Sequence, residues 1–263
     1  MNRLLFLGVG TIAQAVRRAL PEPLAMGTSR SAPDARFGGV PPIEPIAAHD
    51  TARLRQAAEG AHVLVSFPPD GRSDHELSPF VAKAASVVYL SSTAVYPAAA
   101  GVVTEHSELA SSGERALLRI AAERTWREVG ARIVRLPAFY GARTGLHVSL
   151  ERGSFRLPGA GTNVVSRVHE QDAARFVCAA FAAEPRSLLL AGDDEPAPVA
   201  EVVQFVCSLF GLPLPPSSEG SDVPLSLRGD RSVDNRATKS DFKVTLAYPS
   251  YREGYRAVHA ALI

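Results

Sequence analysis

The chain has 263 residues, 46% of them hydrophobic and 21% charged, with a net charge of +1. That balance belongs to a globular chain with a core large enough for one large or two modest domains. It gives no electrostatic case for nucleic acid or an acidic membrane, and no apolar run is long enough to cross a bilayer.

Arg3-Leu4-Leu5-Phe6-Leu7 reads as a short buried strand running into Gly8-Val9-Gly10-Thr11-Ile12-Ala13 and a helix over 11–20. A signal peptide is rejected for this segment, because two glycines break the apolar run and Arg17-Arg18 follows at once. Further strands are predicted at 23–27, 62–67, 86–91 and 132–136, with helices at 51–59, 74–84 and 113–129 between them. The helix over 113–129 starts after Ser111-Ser112 and stops at Gly130. A helix at 170–183 and a strand at 187–191 continue the alternation. A helix at 198–210 is closed by Gly211, 213–230 reads as a long loop, and the tail from Tyr248 to Ile263 as a final helix.

Continuous apolar strands separated by helices imply an α/β chain: a Rossmann-type doubly wound parallel sheet covered on both faces. The texture changes after the strand at 187–191, where Pro196, Pro198, Pro213, Pro215 and Pro216 punctuate the chain. We expect a dinucleotide-binding domain over 1–144 and 169–193, and a smaller, mainly C-terminal substrate-binding lid over 145–168 and 194–263. Cys178 and Cys207 lack metal-ligand spacing, so no metal site is expected and the cytoplasm is the expected compartment.

A strand, a tight glycine turn and a helix start suit a dinucleotide pyrophosphate. Gly8 permits the turn, Gly10 lets backbone approach the phosphates, and Ala13 lets helix and strand pack closely. The N–H groups of Thr11, Ile12 and Ala13 open the helix toward an anion. The second strand ends Met26-Gly27-Thr28-Ser29-Arg30-Ser31, with no carboxylate for a ribose 2′-hydroxyl. Thr28, Ser29 and Arg30 offer hydroxyls and a guanidinium fork suited to a 2′-phosphate, which favours NADP over NAD.

Several segments in order resemble the extended and atypical short-chain dehydrogenase/reductases, close to the NAD-dependent epimerase/dehydratase group. They are the glycine motif, Ser91-Ser92-Thr93-Ala94-Val95-Tyr96-Pro97, Val134-Arg135-Leu136-Pro137-Ala138-Phe139-Tyr140-Gly141 and Arg167-Val168-His169-Glu170-Gln171-Asp172-Ala173-Ala174. Ala191-Gly192-Asp193-Asp194-Glu195-Pro196 and Tyr248-Pro249-Ser250-Tyr251-Arg252-Glu253-Gly254 complete the set. The resemblance implies a doubly wound sheet with a small C-terminal substrate domain. It places Ser66, Phe67 and Pro68 beside the adenine ribose, Pro137 and Ala138 by the nicotinamide, and Ser92 on a substrate oxygen, with Thr93 as its neighbour.

The family's acid is a Tyr with a Lys four residues later on one helix face. No Tyr in this chain is followed four residues later by Lys. The corresponding positions fall on Arg115 and Arg119. Arg119 suits ribose hydroxyls or a phosphate, but a guanidinium does not surrender a proton. Replacement donors are sought in Tyr96 and Tyr140 near strand exits, and less strongly in His106, His147 and His169.

These residues give three readings. The first is an NADP-dependent reductase of a small carbonyl or conjugated substrate, working by hydride transfer with a non-standard proton donor. The second is a nucleotide-sugar epimerase or dehydratase. The third is a non-catalytic NADP-binding sensor or regulator. The expected partner is a small-molecule substrate, and the resemblance adds a homodimer built on helices such as 113–129.

Overall fold

The structure, a computed structural model, describes residues 3–21, 23–29, 41–218 and 229–263. Its central sheet comprises β1 (Arg3–Leu7), β2 (Leu24–Thr28), β3 (Glu44–Ile46), β4 (His62–Val65), β5 (Ser86–Ser92), β7 (Arg132–Leu136) and β12 (Leu188–Leu190). The seven strands are all parallel, in the order β12-β7-β5-β4-β1-β2-β3. The order reverses beside β1, which is where an open α/β sheet leaves a crevice at its carboxyl edge.

Side-chain alternation assigns the two faces. Leu4 and Phe6 of β1, Val88 of β5 and Val134 of β7 pack under α1 (Thr11–Ala19) and α6 (Glu170–Ala182). Leu5 and Leu7, Val87 and Tyr89, and Ile133 point the other way, under α2 (Thr51–Ala58) and α4 (Glu114–Glu128). Strands apolar on both sides therefore mark a sheet buried on both sides.

The predicted helix over 74–84 is α3 (Ser73–Leu77) followed by a 3-10 turn over Ser78–Val81. Pro79 has no N–H to extend the α-helical ladder, so the chain tightens. The strand predicted over 62–67 ends at Val65, and Ser66 onward leaves the sheet to lie over the glycine turn. The final helix is α9 (Tyr251–Ala260), starting later than the tail pattern suggested. Pro249 disfavours helix before it, and Ser250 with Glu253 forms a capping box. The edge strand β3 escaped notice because three residues with Pro45 in the middle carry no alternation signal.

Short strands tie the rest of the chain to this sheet. β6 (Gly101–Val103), from the segment just after Ser92, pairs with β15 (Arg231–Val233). β15 continues to β10 (Val164–Val165) and β13 (Ala197–Pro198), giving a four-stranded sheet. β8 (Ala138–Tyr140) pairs with β11 (Arg167–His169), and β9 (Leu157–Pro158) with β14 (Ser217–Ser218). A third core joins α5 (Leu146–Glu151), α7 (Val199–Phe210) and α9 through Leu150, Val202, Val206, Tyr251 and Tyr255. The remaining helix, α8 (Arg236–Asp241), docks by its Thr238 hydroxyl, which accepts from Leu190 N and donates to Glu105.

Tyr140 stacks on Tyr255 with 4.2 Å between ring centroids, and its hydroxyl is buried without a partner. A Cβ on Gly254 of α9 would strike that hydroxyl. Alanine in a helix interior is favoured over glycine by about 0.5–1 kcal/mol, whereas overpacking costs about 1–3 kcal/mol. Gly254→Ala is therefore expected to destabilise the chain in urea unfolding. Adding Tyr140→Phe, which removes the oxygen that is struck but keeps ring carbons 2.8 Å from the new Cβ, is expected to restore part of the loss.

Candidate functional site

The glycine turn is held by its neighbours. Gly8 has φ of +96°, and a Cβ there would lie 3.0 Å from the Phe67 backbone nitrogen. The Gly8 N–H donates to the Thr28 hydroxyl at 3.2 Å, and the Ser66 hydroxyl donates to the Gly8 carbonyl at 2.6 Å. Val9 N–H reaches the Thr28 carbonyl at 3.0 Å. The Thr28 hydroxyl thus serves the turn as an acceptor. Ser29 follows, half-buried, and Arg30 lies outside the described residues.

Gly10 is different. Its backbone is extended, at φ −108° and ψ −170°, and a Cβ there would meet nothing within 4 Å. Neither packing nor conformation demands glycine at this position. It opens α1, whose first turn has no side-chain cap and no acidic residue. Thr11, Ile12 and Ala13 therefore present N–H groups without intrahelical partners beside open space. Ile12 and Ala13 turn their side chains into the core. Residues whose only contribution is backbone N–H, a free Cα face and a bare helix end suit a diphosphate. Beside them, Phe67 packs edge-on against Trp126, while Pro68 is exposed.

At the end of β5, the half-buried Ser92 hydroxyl accepts from Ala94 N–H at 3.1 Å, capping the 3-10 turn Thr93–Val95. Its own proton goes to no described residue. Thr93 is buried in that turn. Arg119 lies half-buried on α4 and donates to the Leu90 carbonyl at 3.3 Å, two residues before Ser92 along β5. Arg115 is exposed. Past the end of β7, Pro137 is buried and Ala138 is exposed.

Neither tyrosine singled out as a proton donor reaches this edge. Tyr96 is 1% exposed, donates to the Thr104 carbonyl at 2.9 Å and accepts from Arg135 Nη1 at 2.9 Å. Tyr140 is equally buried between Tyr255 and His169. Burial raises the pKa of both phenols, further from use as acids. Of the histidines, His106 is an exposed loop residue, and His147 is buried against Phe210 with its pKa lowered by that burial. His169 caps α6: its Nδ1 accepts from Gln171 N–H at 3.2 Å.

Behind Ser92 lies a network of residues that the sequence reading passed over. Arg135 of β7 and Glu123 of α4 are each 4% exposed in their side chains. Arg135 grips both Glu123 oxygens, at 2.9 and 2.7 Å, and the Ser91 hydroxyl donates to Glu123 at 2.6 Å. Asp74 of α3, also buried, accepts from the Trp126 indole at 2.7 Å. A usable signal was present: Glu123 interrupts the stripe formed by Ala122 and Trp126, and Arg135 interrupts Ile133-Val134-Arg135-Leu136. Opposite charges at two core-facing positions call for each other.

Among the described residues, no helix is long and apolar enough to cross a membrane, and no group of three His, Cys, Asp or Glu is placed to hold a metal.

Sheet order and glycine turn together define a Rossmann-type α/β chain. No protein-family model and no curated protein matches the sequence. Among solved structures, a functionally unknown conserved protein from Silicibacter pomeroyi DSS is 30% identical over 99% of each chain, with a TM-score of 0.85. This chain belongs to the same family as that protein. MoeE5 in complex with UDP-glucuronic acid and NAD is 20% identical over 100% of each chain, with a TM-score of 0.80. UDP-glucuronic acid 4-epimerase from Bacillus cereus, in complex with UDP-glucuronic acid and NAD, is 14% identical over 99% of this chain and 98% of its own, also at 0.80. At those identities the last two establish the fold alone.

Two measurements test the packing of this site. Glu123→Gln leaves a buried guanidinium without its counter-charge and is expected to cost about 3–5 kcal/mol in urea unfolding. A smaller loss than from a surface Glu→Gln control would contradict that role. His169 gives a pH signature. Burial, with Arg18 adding to it, pushes its imidazole down to about 4. The unfolded imidazole binds a proton near 6.5, so the folded chain loses stability as pH falls from about 6.5 to 4. The loss amounts to about 3 kcal/mol at most. His169→Asn keeps a cap acceptor without the titration, and is expected to flatten the pH dependence of the melting midpoint over that interval.

Proposed function

We propose that this protein binds a nicotinamide dinucleotide across the amino end of α1 and acts by hydride transfer on a small molecule seated at Ser92. The observation that carries this reading is Gly10, a glycine that the fold itself does not need, beside an uncapped helix start at a sheet switch point. The backbone of Gly8 and Gly10 and the N–H groups of Thr11, Ile12 and Ala13 would hold the diphosphate. Ser66, Phe67 and Pro68 would line the adenosine side, Ser29 and Arg30 the ribose, and Arg119, Pro137 and Ala138 the nicotinamide end. When bound, the coenzyme supplies a hydride acceptor or donor. The chain's own part is to orient the reactants: Ser92 retains a hydroxyl proton for a substrate oxygen, and Arg119 offers N–H donors without exchanging a proton.

For the reaction, we favour the epimerase/dehydratase class, because solved chains of this fold carrying NAD with UDP-sugars align over nearly their whole length. The lid over 145–168 and 194–263 would then enclose the sugar nucleotide. The absent Tyr-x-x-x-Lys pair favours the second reading, reduction of a carbonyl or conjugated compound with the proton drawn from elsewhere. NADP remains the preferred coenzyme of that reading only through Arg30.

Coenzyme binding separates these from a wrong assignment of the cleft. Gly10→Ala is expected to leave stability unchanged or improve it by roughly 0.4–1 kcal/mol, while weakening NADH and NADPH binding, followed by nicotinamide fluorescence, at least about tenfold. Unaltered affinity would remove the dinucleotide from this cleft. Conversion of a UDP-sugar without net coenzyme change supports the epimerase class, and NADPH consumption with a carbonyl panel supports the reductase. Arg30→Ala that weakens NADPH and NADH equally would remove the NADP preference.

A further inference from the structure

Arg231 is a half-buried cation that the proposed function does not employ. It opens β15, between β6 and β10 in the four-stranded sheet. Its backbone is clamped from several sides. The Asp230 N–H donates to the Ala98 carbonyl at 2.7 Å, the Gly101 N–H to the Asp230 carbonyl at 2.9 Å, and the Ser166 N–H to the Arg231 carbonyl at 3.2 Å. The side chain reaches back to the Ser92 turn, where its Nη1 donates to the Tyr96 carbonyl at 3.2 Å. Tyr96 closes the 3-10 turn Thr93–Val95, and the Ser92 hydroxyl caps the other end of that turn. Such a turn rises roughly 6 Å, a span that one sugar phosphate covers.

The guanidinium has no counter-charge. Among the described residues it forms no ion pair, and its pKa is lowered by burial with no acid working against that burial. The neighbouring acid, Asp230, accepts instead from the Val164 N–H at 2.9 Å. Glycines flank the fork. A Cβ on Gly229 would lie 3.1 Å from Arg231 Nη2 and 2.6 Å from the Ala98 carbonyl, so the guanidinium rests against a bare Cα. Across the ladder Arg231 faces Gly101, where a Cβ would meet nothing within 4 Å. A guanidinium has more N–H donors than the Tyr96 carbonyl uses, set in a plane that suits the oxygens of an anion. Arginines with a structural task in this fold are satisfied differently. Arg135 takes both oxygens of Glu123, and Arg17 spends its donors on the carbonyls of Leu20, Pro21, Pro23 and Pro42.

We propose that Arg231 is a substrate-binding residue whose fork receives an anionic group, carboxylate or phosphoryl, of the small molecule seated at Ser92. The substrate class narrows to acidic small molecules, sugar nucleotides and sugar acids among them, and away from neutral carbonyl compounds. The seat at Ser92 rests on the proposed function; the anion at Arg231 does not.

The test uses the full chain. Pyrophosphate and glucuronate probe the two anions separately, and UDP-glucose and UDP-glucuronic acid probe them on one scaffold. The Arg231 Nε–H resonance of the wild type is expected to shift during these titrations. Arg231→Met keeps the stem and removes the fork. It is expected to weaken UDP-glucuronic acid at least about tenfold by calorimetry, with Arg231→Lys restoring only part. Equal weakening of both UDP-sugars assigns the phosphoryl oxygens, and weakening confined to UDP-glucuronic acid assigns the carboxylate. NADH affinity is expected to be the same in Arg231→Met as in the wild type, which separates a lost anion contact from a disturbed fold. A resonance that none of the four ligands shifts, or Arg231→Met binding both UDP-sugars as tightly as the wild type, would overturn the anion site. The wild-type titration decides the matter if Arg231→Met does not fold. Failure of the wild type to bind NADH or NADPH would instead overturn the proposed function, and the pyrophosphate and glucuronate titrations would then decide the role of Arg231 alone.

Discussion

The seating of α4 on the sheet rests on one buried ion pair. Arg135 rises from β7 at a core-facing position and takes both oxygens of Glu123. Moving two such charges out of water costs several kcal/mol each, so this contact gives little net stability compared with an apolar pair. What it gives is register. An apolar stripe tolerates rotation and sliding, whereas a planar fork on a carboxylate fixes one rotation and one height. Ser91 and Tyr96 complete the coordination from β5 and the turn beyond it. The helix bearing Arg119 and the turn bearing Ser92 are thereby set against one another through groups that touch neither of the two residues.

The other end of the cleft depends on similarly committed groups. The hydroxyls of Thr28 and Ser66, which on a linear reading look available to a ligand, bind the Gly8 peptide from its two sides. A turn with φ of +96° needs such restraint, because glycine loses the most backbone freedom on folding. The surface left open at the turn is then backbone, at Gly10 and the uncapped start of α1.

Much of the architecture was legible because it rests on patterns a few residues long. The strands at 3–7, 86–91 and 132–136 are apolar on both faces, and Gly130 and Gly211 stop their helices as expected. β3, β6 and β15 were not legible, since three-residue strands exist only through their partners. The site was harder still. Tyr96 and Tyr140 stand at strand exits, where a phenol can turn to the edge or to the core, and only tertiary contacts decide. For Tyr96 the deciding contact is Arg135, from a strand 39 residues away in sequence. For Tyr140 it is Tyr255, from the last helix. Short-range pattern contains neither.

The absence of a Tyr-x-x-x-Lys pair from the sequence then has a structural reading. A lysine beside a tyrosine lowers the phenol pKa and grips a ribose, two tasks for one ammonium. Arg119 would serve the second task but not the first, and Arg115, which the resemblance sets at the tyrosine's position, is exposed. Burial raises the pKa of Tyr89, Tyr96 and Tyr140, further from use as acids. A reaction run here must either take its proton through Ser92 from solvent or substrate, or proceed without net proton transfer to the protein. In the epimerase or dehydratase reading proposed above, the Ser92 hydroxyl would have to relay that proton between the sugar oxygen and solvent.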